Sequence, residues 1–164
     1  FLERSGGARG VSAEPFPPIS DLVPHAGGML LLDRVLAHES THTVCATSAG
    51  RSPLFANSDG SVPSWVGIEY MAQCAAVHGE LANRSRGGGP RPGLLLGSRR
   101  LAIHREAFAP GESLEVTARH HMGESGLVAF DCSIRSASSA ETLVEGRVNL
   151  YLFGDWSEFG EVCE

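Results

Sequence analysis

The feature that most constrains the fold is residues 62–83, VPSWVGIEYMAQCAAVHGELAN, the longest stretch with a helical pattern and the most apolar in the chain. Pro63 suits the first turn of a helix, and Ser61 or Ser64 is available to cap it. The helix is predicted to end before Arg84, because the SRGGGPRPG that follows contains glycines and prolines that cannot continue it. A helix of this composition is expected to lie in the core.

Strand patterns lie on both sides of this helix. Residues 29–36 form an apolar run entered through a glycine turn, and residues 41–46 alternate with the period of two that is typical of a strand. After the helix, further strand segments are separated by short turns, which predicts an antiparallel meander. These segments are LLLGSRRLAI, ESLEVTARHHMG, GLVAFDCSIRSA and ETLVEGRVNLYLF.

The fold class follows from the need to cover the apolar face that this alternation gives each strand. The long helix is the only candidate in the sequence for that cover. The prediction is therefore an α+β domain, in which a curved antiparallel β-sheet is wrapped around a central α-helix.

Length and composition fit one domain. The chain has 164 residues, of which 42% are hydrophobic. No apolar run approaches the roughly 20 residues that a membrane span requires. Residues 1–18, rich in glycine, serine and proline, are predicted to form a flexible leader, residues 19–154 the folded domain, and residues 155–164 a tail. The leader lacks the continuous apolar segment of a secretory signal, so a cytoplasmic location is expected.

The charges and cysteines argue against several classes of function. The net charge is −6 and the 13 basic residues, all arginines, are scattered along the chain, which argues against a general nucleic-acid binder. Cys45, Cys74, Cys132 and Cys163 are far apart and form no C-x-x-C pair, so neither a disulfide framework nor a zinc site is indicated. No metal or other cofactor is predicted.

Two motifs resemble those of the hotdog-fold 3-hydroxyacyl-acyl-carrier-protein dehydratases of fatty-acid and polyketide synthesis. The first is LVPHAGGMLLLDRV, and the second is PSWVGIEYMAQ, in which Ser64 and Tyr70 replace a glycine and an alanine of the family's pattern. The resemblance covers most of residues 19–153. In particular, the chain resembles the divergent dehydratase-like proteins of aryl-polyene-type clusters, where a PH-x-x-x-M-LLD start and a W-x-x-x-E-x-MAQ helix recur.

The resemblance implies dehydration of a 3-hydroxyacyl thioester to the 2-enoyl thioester. This reaction needs a base that removes a C2 proton and an acid that protonates the departing C3 hydroxyl. By resemblance Glu69 is the acid, and its place on an apolar helix is expected to raise its pKa by desolvation. The alternative role of Glu69 is to pair with an arginine at a dimer interface.

The base is harder to assign from the sequence. Standard members of the family carry their catalytic histidine in the loop before the helix, and the corresponding loop here, LFANSDGSVP, has none. His25 of the first motif is therefore the candidate base, since imidazole titrates near neutral pH. Its alternative role is to hold the entry of the chain by hydrogen bonds.

Four further residues near Glu69 are candidates for substrate binding. The first backbone N–H groups of the helix, at Val66 and Gly67, could bind the thioester oxygen. Gly67 could equally serve close packing between helix and sheet. Gln73 lies on the same face as Glu69 and could orient its carboxylate or meet its own counterpart across a dimer. A packing role is equally open to it. Trp65 is the fourth candidate, with burial in the core or at a dimer contact as the more usual role.

Three functions are open at this point. The first is the dehydratase, acting on an acyl-carrier-protein or coenzyme A thioester, and the second is a hotdog acyl thioesterase in which Glu69 activates water or attacks the acyl carbonyl. The third is a non-catalytic subunit that binds an acyl carrier or a catalytic paralogue. Hotdog proteins of this kind generally dimerise, so the resemblance implies a homodimer or a higher oligomer.

Five arginines beyond the helix bear on the choice of partner. They could form a basic surface for an acidic carrier protein, or they could be ordinary solvated side chains. They are Arg84, Arg86, Arg91, Arg99 and Arg100.

Overall fold

The computed structural model describes residues 16–89, 91–154 and 157. The predicted leader and tail lie outside the described residues, apart from residues 16–18 and 157, and stay predictions. The described part contains one α-helix and a set of strands around it. The elements are β1 (Arg34–His38), β2 (His42–Ser48), β3 (Val62–Pro63), α1 (Gly67–Arg84), β4 (Gly93–Ile103), β5 (Ala107–Phe108), β6 (Ser113–Glu124), β7 (Leu127–Ser136) and β8 (Thr142–Leu152).

Six of these strands form one antiparallel sheet in the order β1-β2-β6-β7-β8-β4. The strands β6, β7 and β8 are the meander that the sequence predicts. The meander prediction is wrong for β4, which pairs with β8 at the far edge instead of with β6. The chain returns from that edge through β5, which pairs with β3 in a separate two-stranded ribbon.

The helix begins at Gly67 rather than at residue 62. Val62–Pro63 pair with β5, and Ser64–Val66 form a 3₁₀ turn that leads into α1. The expected serine cap is absent from the described structure, because the residue at the cap position is Val66 and no side chain caps it. The Ser64 hydroxyl is instead buried without a hydrogen-bond partner among the described residues.

The core lies between α1 and the inner face of the sheet. The helix packs against β2, β4, β6, β7 and β8. The predicted alternation on β6 is confirmed, since Leu114, Val116 and Ala118 are at most 1% exposed. A Cβ atom on Gly67 would lie 2.8 Å from Ile134 Cδ1 of β7. The absence of a side chain at Gly67 therefore lets the helix approach the sheet, which is the packing role that the sequence left open.

A group of histidines lies where α1 meets β1, β2 and β6. Thr43 Oγ1 is 2.7 Å from His38 Nδ1 and 2.9 Å from His78 Nδ1, so one hydroxyl links two imidazoles. His78 is only 4% exposed. Burial, followed by the charges of His38, His120 and His42, lowers the pKa of His78 to about 4. His78 is therefore neutral in the folded protein at neutral pH.

Acidification from about pH 6.5 to about pH 4.5 is expected to destabilise the fold by about 2 kcal/mol through His78. Its pKa in the folded state lies below its value in the unfolded chain. In this window the unfolded chain thus binds more protons, and stability falls as the pH falls. Urea unfolding of wild type and His78→Gln at the two pH values measures the difference.

The control for this prediction is His104→Gln, which removes a histidine whose side chain is 47% exposed. This variant should lose as much stability on acidification as the wild type does. An equal loss in His78→Gln and the wild type would contradict the prediction.

Candidate active site

The two candidate catalytic side chains meet within one chain. His25 Nε2 lies 3.2 Å from Glu69 Oε1, and the side chains are 30% and 24% exposed. Both groups can therefore hydrogen bond with each other and still be reached from outside. The two groups lie close enough for both to reach the same bound molecule, one to accept a proton from it and the other to donate a proton to it.

Different elements position the two residues. Glu69 lies in the first turn of α1, while His25 lies in the segment between the 3₁₀ turns Ile19–Asp21 and Gly27–Met29. This segment runs along the helix, since the Asp21 carbonyl accepts a hydrogen bond from Arg84 near the other end of α1. The first motif is thus held against the length of the helix that carries the second.

Gln73 connects the loop, the helix and the acid. Its Nε2 donates to Glu69 Oε1 at 2.9 Å and to the Met29 carbonyl at 2.7 Å, and its Oε1 accepts from the Leu31 N–H at 3.0 Å. The side chain is fully buried. Of the roles open to Gln73 in the sequence, the structure shows the contact with the carboxylate, and the burial of the side chain fits the packing role as well. Its burial leaves no direct access for substrate.

The expected rise in the pKa of Glu69 is wrong. Burial raises the pKa, but hydrogen bonds from His25 and Gln73, together with the charge of His25, outweigh burial and hold the pKa below its ordinary value. The carboxyl group of Glu69 is thus ionised at neutral pH. Both contacts fall on Oε1, which leaves Oε2 as the oxygen that no described residue engages.

The other three candidates for substrate binding are not assembled as the sequence suggested. The N–H of Gly67 donates to the carbonyls of Ser64 and Trp65 in the preceding 3₁₀ turn, so it is not a free donor for a thioester oxygen. Val66 is 1% exposed and packs in the core. Trp65 is 60% exposed, contrary to the burial that is usual for an aromatic residue on such a helix.

A cavity of about 330 Å³ opens at the His25–Glu69 pair, and sequence reasoning missed it. Its walls are the segment 20–25, one face of α1, and the ends of β4 and β8. One signal for the cavity was available in the sequence. Small residues lie three, seven and ten positions after Glu69, and positions with this spacing share one face of a helix. These helical residues are Ala72, Ala76 and Gly79, followed by Glu80 and Asn83.

A central helix enclosed by an antiparallel sheet, with a histidine and an acid meeting near the start of that helix, places this chain among the hotdog-fold proteins. Zebrafish thioesterase superfamily member 2 has the same fold, with a TM-score of 0.61, 15% identity, and coverage of 83% of this chain and 91% of that chain. A hypothetical thioesterase of Streptococcus pneumoniae, in complex with coenzyme A, gives a TM-score of 0.56, 14% identity, and coverage of 74% and 86%. These likenesses confirm the predicted fold.

The sequence identifies the family within that fold. It matches the ApeP-like family, described as ApeP dehydratase, over residues 17–161, and the chain belongs to this family. A chain in the structure of the dehydratase heterocomplex ApeI:P from Xenorhabdus doucetiae is 28% identical, with a TM-score of 0.82 and coverage of 91% of this chain and 99% of that one. Among curated protein sequences no match is found. The dehydratase assignment made from the two motifs is thereby confirmed.

None of the described helices is long and apolar enough to cross a membrane.

Replacing Gln73 by leucine is expected to lower the free energy of unfolding by about 2 to 4 kcal/mol. The change leaves the buried N–H of Leu31 and the carbonyl of Met29 without their partner, and each unpaired group costs about 1 to 3 kcal/mol. Chemical denaturation measures the loss. Asn149→Leu is the matched control, because among the described residues the Asn149 side chain makes a single, long hydrogen bond of 3.5 Å, to the Gly97 carbonyl. Similar losses in both variants would contradict the anchoring role of Gln73.

Proposed function

We propose that this dehydratase acts on a 3-hydroxyacyl thioester and that His25 and Glu69 carry out both proton transfers. The observation that carries the proposal is the 3.2 Å contact between an imidazole and an ionised carboxylate within one chain. A dehydratase needs one group to accept a proton and one to donate it, and a pair that shares a single proton supplies both.

The lowered pKa of Glu69 indicates which of the two groups is the base and which is the acid. An ionised carboxylate can accept a proton but has none to donate, so we assign Glu69 as the base and His25, whose Nε2 lies 3.2 Å from it, as the acid, which reverses the roles implied by the resemblance. Glu69 removes the proton from C2, and the electrons of that bond form the C2–C3 double bond. The C3–O bond breaks as His25 Nε2 protonates the hydroxyl, which leaves as water. Proton transfer from Glu69 to His25 then restores the pair.

A thioesterase function has less support. The thioesterases among the similar structures are 15% identical or less, so they support a shared fold and no shared chemistry. The proposed non-catalytic subunit is also disfavoured, because the histidine and the acid are both retained and in contact. In this proposal His25 takes over the role of the histidine that is missing from the loop.

We further propose that this chain assembles with a second hotdog subunit through β4. Within the described sheet, β4 is an edge strand that pairs only with β8. Leu95, Leu96 and Ile103 on this strand are 38%, 55% and 44% exposed. An exposed apolar edge strand is a template for pairing with another chain. The heterocomplex in Xenorhabdus doucetiae favours a second dehydratase subunit as the partner over the homodimer expected from the sequence.

The substrate carrier is proposed to be an acidic acyl carrier protein. Two of the five arginines considered for its surface are engaged: Arg84 binds Glu80 and Arg91 donates to the Phe153 carbonyl. The other three are exposed and positively charged. They are Arg86, Arg99 and Arg100, and their exposed side chains support the proposal of a basic docking surface.

The roles of the pair are tested by single variants with two kinds of substrate. His25→Asn and Glu69→Gln should each lower kcat/KM for 3-hydroxyacyl thioesters by about 10² to 10⁴-fold, the usual contribution of a general acid or base. A 3-fluoroacyl thioester needs little protonation of its leaving group. It should therefore still be converted by His25→Asn and not by Glu69→Gln, with enoyl product followed by mass spectrometry.

The assay is run with the chain alone and with a second dehydratase subunit, and with carrier-protein and coenzyme A thioesters in parallel. Native mass spectrometry identifies the assembly that carries the activity. If Glu69→Gln converts the fluoro substrate and His25→Asn does not, His25 is the base and Glu69 the acid. Full activity of both variants with the hydroxy substrate would remove the pair from the mechanism.

A further inference from the structure

The cavity that begins at the catalytic pair has a defined direction. His25 contacts Glu69 at one end, and Asp21 contacts Arg84 at the other, so the segment between them runs antiparallel to α1 as one wall. Leu95 and Leu152 are among the residues of β4 and β8 that form the opposite wall. The cavity is thus a channel along the helix axis with the reacting groups at its start.

The chemical character of the channel changes along its length. Between the two ends its lining is apolar, with the small side chains of Ala72 and Ala76 on the helix. At the far end lie Glu80, which pairs with Arg84, and Asn83. Binding of an apolar chain in the first part is favourable, because apolar surface leaves water. Extension to the far end is unfavourable, because the chain would desolvate the ion pair there.

Gly79 marks the boundary between these two parts. It lines the cavity, and a Cβ atom at this position would have no heavy atom within 4 Å. The backbone there is helical and needs no glycine, because the φ angle of Gly79 is not positive. An interior glycine costs a helix about 1 kcal/mol relative to alanine. What the glycine provides here is open space in the channel.

We propose that the acyl tail of the substrate binds in this channel and that Gly79 is the residue that sets its maximum length. This inference rests on the proposed function, since it places the thioester at His25 and Glu69. Ten residues of helix separate Glu69 from Gly79, which corresponds to about 15 Å. An extended chain of roughly twelve carbons has this length, taking about 1.3 Å of advance per carbon–carbon bond.

The test compares wild type, Gly79→Leu and Ala82→Leu in the full chain, in the assembly in which it is isolated. Calorimetry measures binding of two non-reacting probes, dodecanoyl-pantetheine and butanoyl-pantetheine. Gly79→Leu should weaken binding of the dodecanoyl probe at least tenfold and that of the butanoyl probe less than twofold. Ala82→Leu adds the same side chain to the same helix at a position outside the cavity lining, and should change neither.

Two outcomes would overturn the proposal. In the first, the wild type binds the dodecanoyl probe no more tightly than the butanoyl probe. In the second, wild type and Gly79→Leu bind the dodecanoyl probe equally well. Thermal unfolding of each variant confirms that it is folded. Because the probes carry no 3-hydroxyl group, the binding result does not depend on dehydration. If the protein binds the probes as expected but dehydrates no substrate, the channel proposal stands and the proposed function is wrong.

Discussion

The three hydrogen bonds of the Gln73 amide hold the candidate active site in place. They join α1 to the loop that follows His25, and they fix the oxygen of Glu69 that faces the histidine. A neutral amide suits this position because it has donors for a carbonyl and a carboxylate and an acceptor for an N–H. A buried amide with all these partners specifies one arrangement of loop and helix, since any other would leave polar groups unpaired.

This anchoring also accounts for the ionisation of the Glu69 carboxyl group. A carboxyl group on an apolar helix would be neutral if burial acted alone, and it would then resemble a simple proton donor. Hydrogen bonds to Glu69 reverse that preference and make its ionised form the stable one. In the proposed mechanism, His25 of the first motif takes the place of the histidine that a standard dehydratase carries in the loop before the helix. The structure itself brings an imidazole and an ionised carboxylate into contact in one chain, with a cavity beside them.

The sequence was sufficient for the parts of the fold that depend on local pattern. The apolar helix and the alternation around Val116 predicted the central helix and the inner face of the sheet, because burial alone determines both. The start of the helix was misplaced because Pro63 pairs with Ala107, a partner that only the tertiary fold provides. The position of β4 beside β8 was missed for the same reason.

The candidate site divides in the same way. Glu69 and His25 were found because each lies in a motif with a family resemblance. The sign of the pKa shift of Glu69 depends in addition on its contact with His25, 44 positions earlier in the chain, which no spacing shows. The channel was missed because one of its walls is an irregular segment packed along the helix. Local patterns thus predicted the candidate residues, and the tertiary structure was needed to show which of them are in contact.

The central claim is that His25 and Glu69 act as one unit, and a double-variant cycle on kcat/KM tests it most directly. His25→Asn, Glu69→Gln and the double variant are compared with wild type on the same 3-hydroxyacyl substrate. If the two residues are one proton-transfer unit, the double variant should be no more than severalfold worse than the poorer single variant, because either change already disables the pair. Losses that multiply, so that two defects of about 10³-fold give about 10⁶-fold, would show that the residues act independently and would contradict the account.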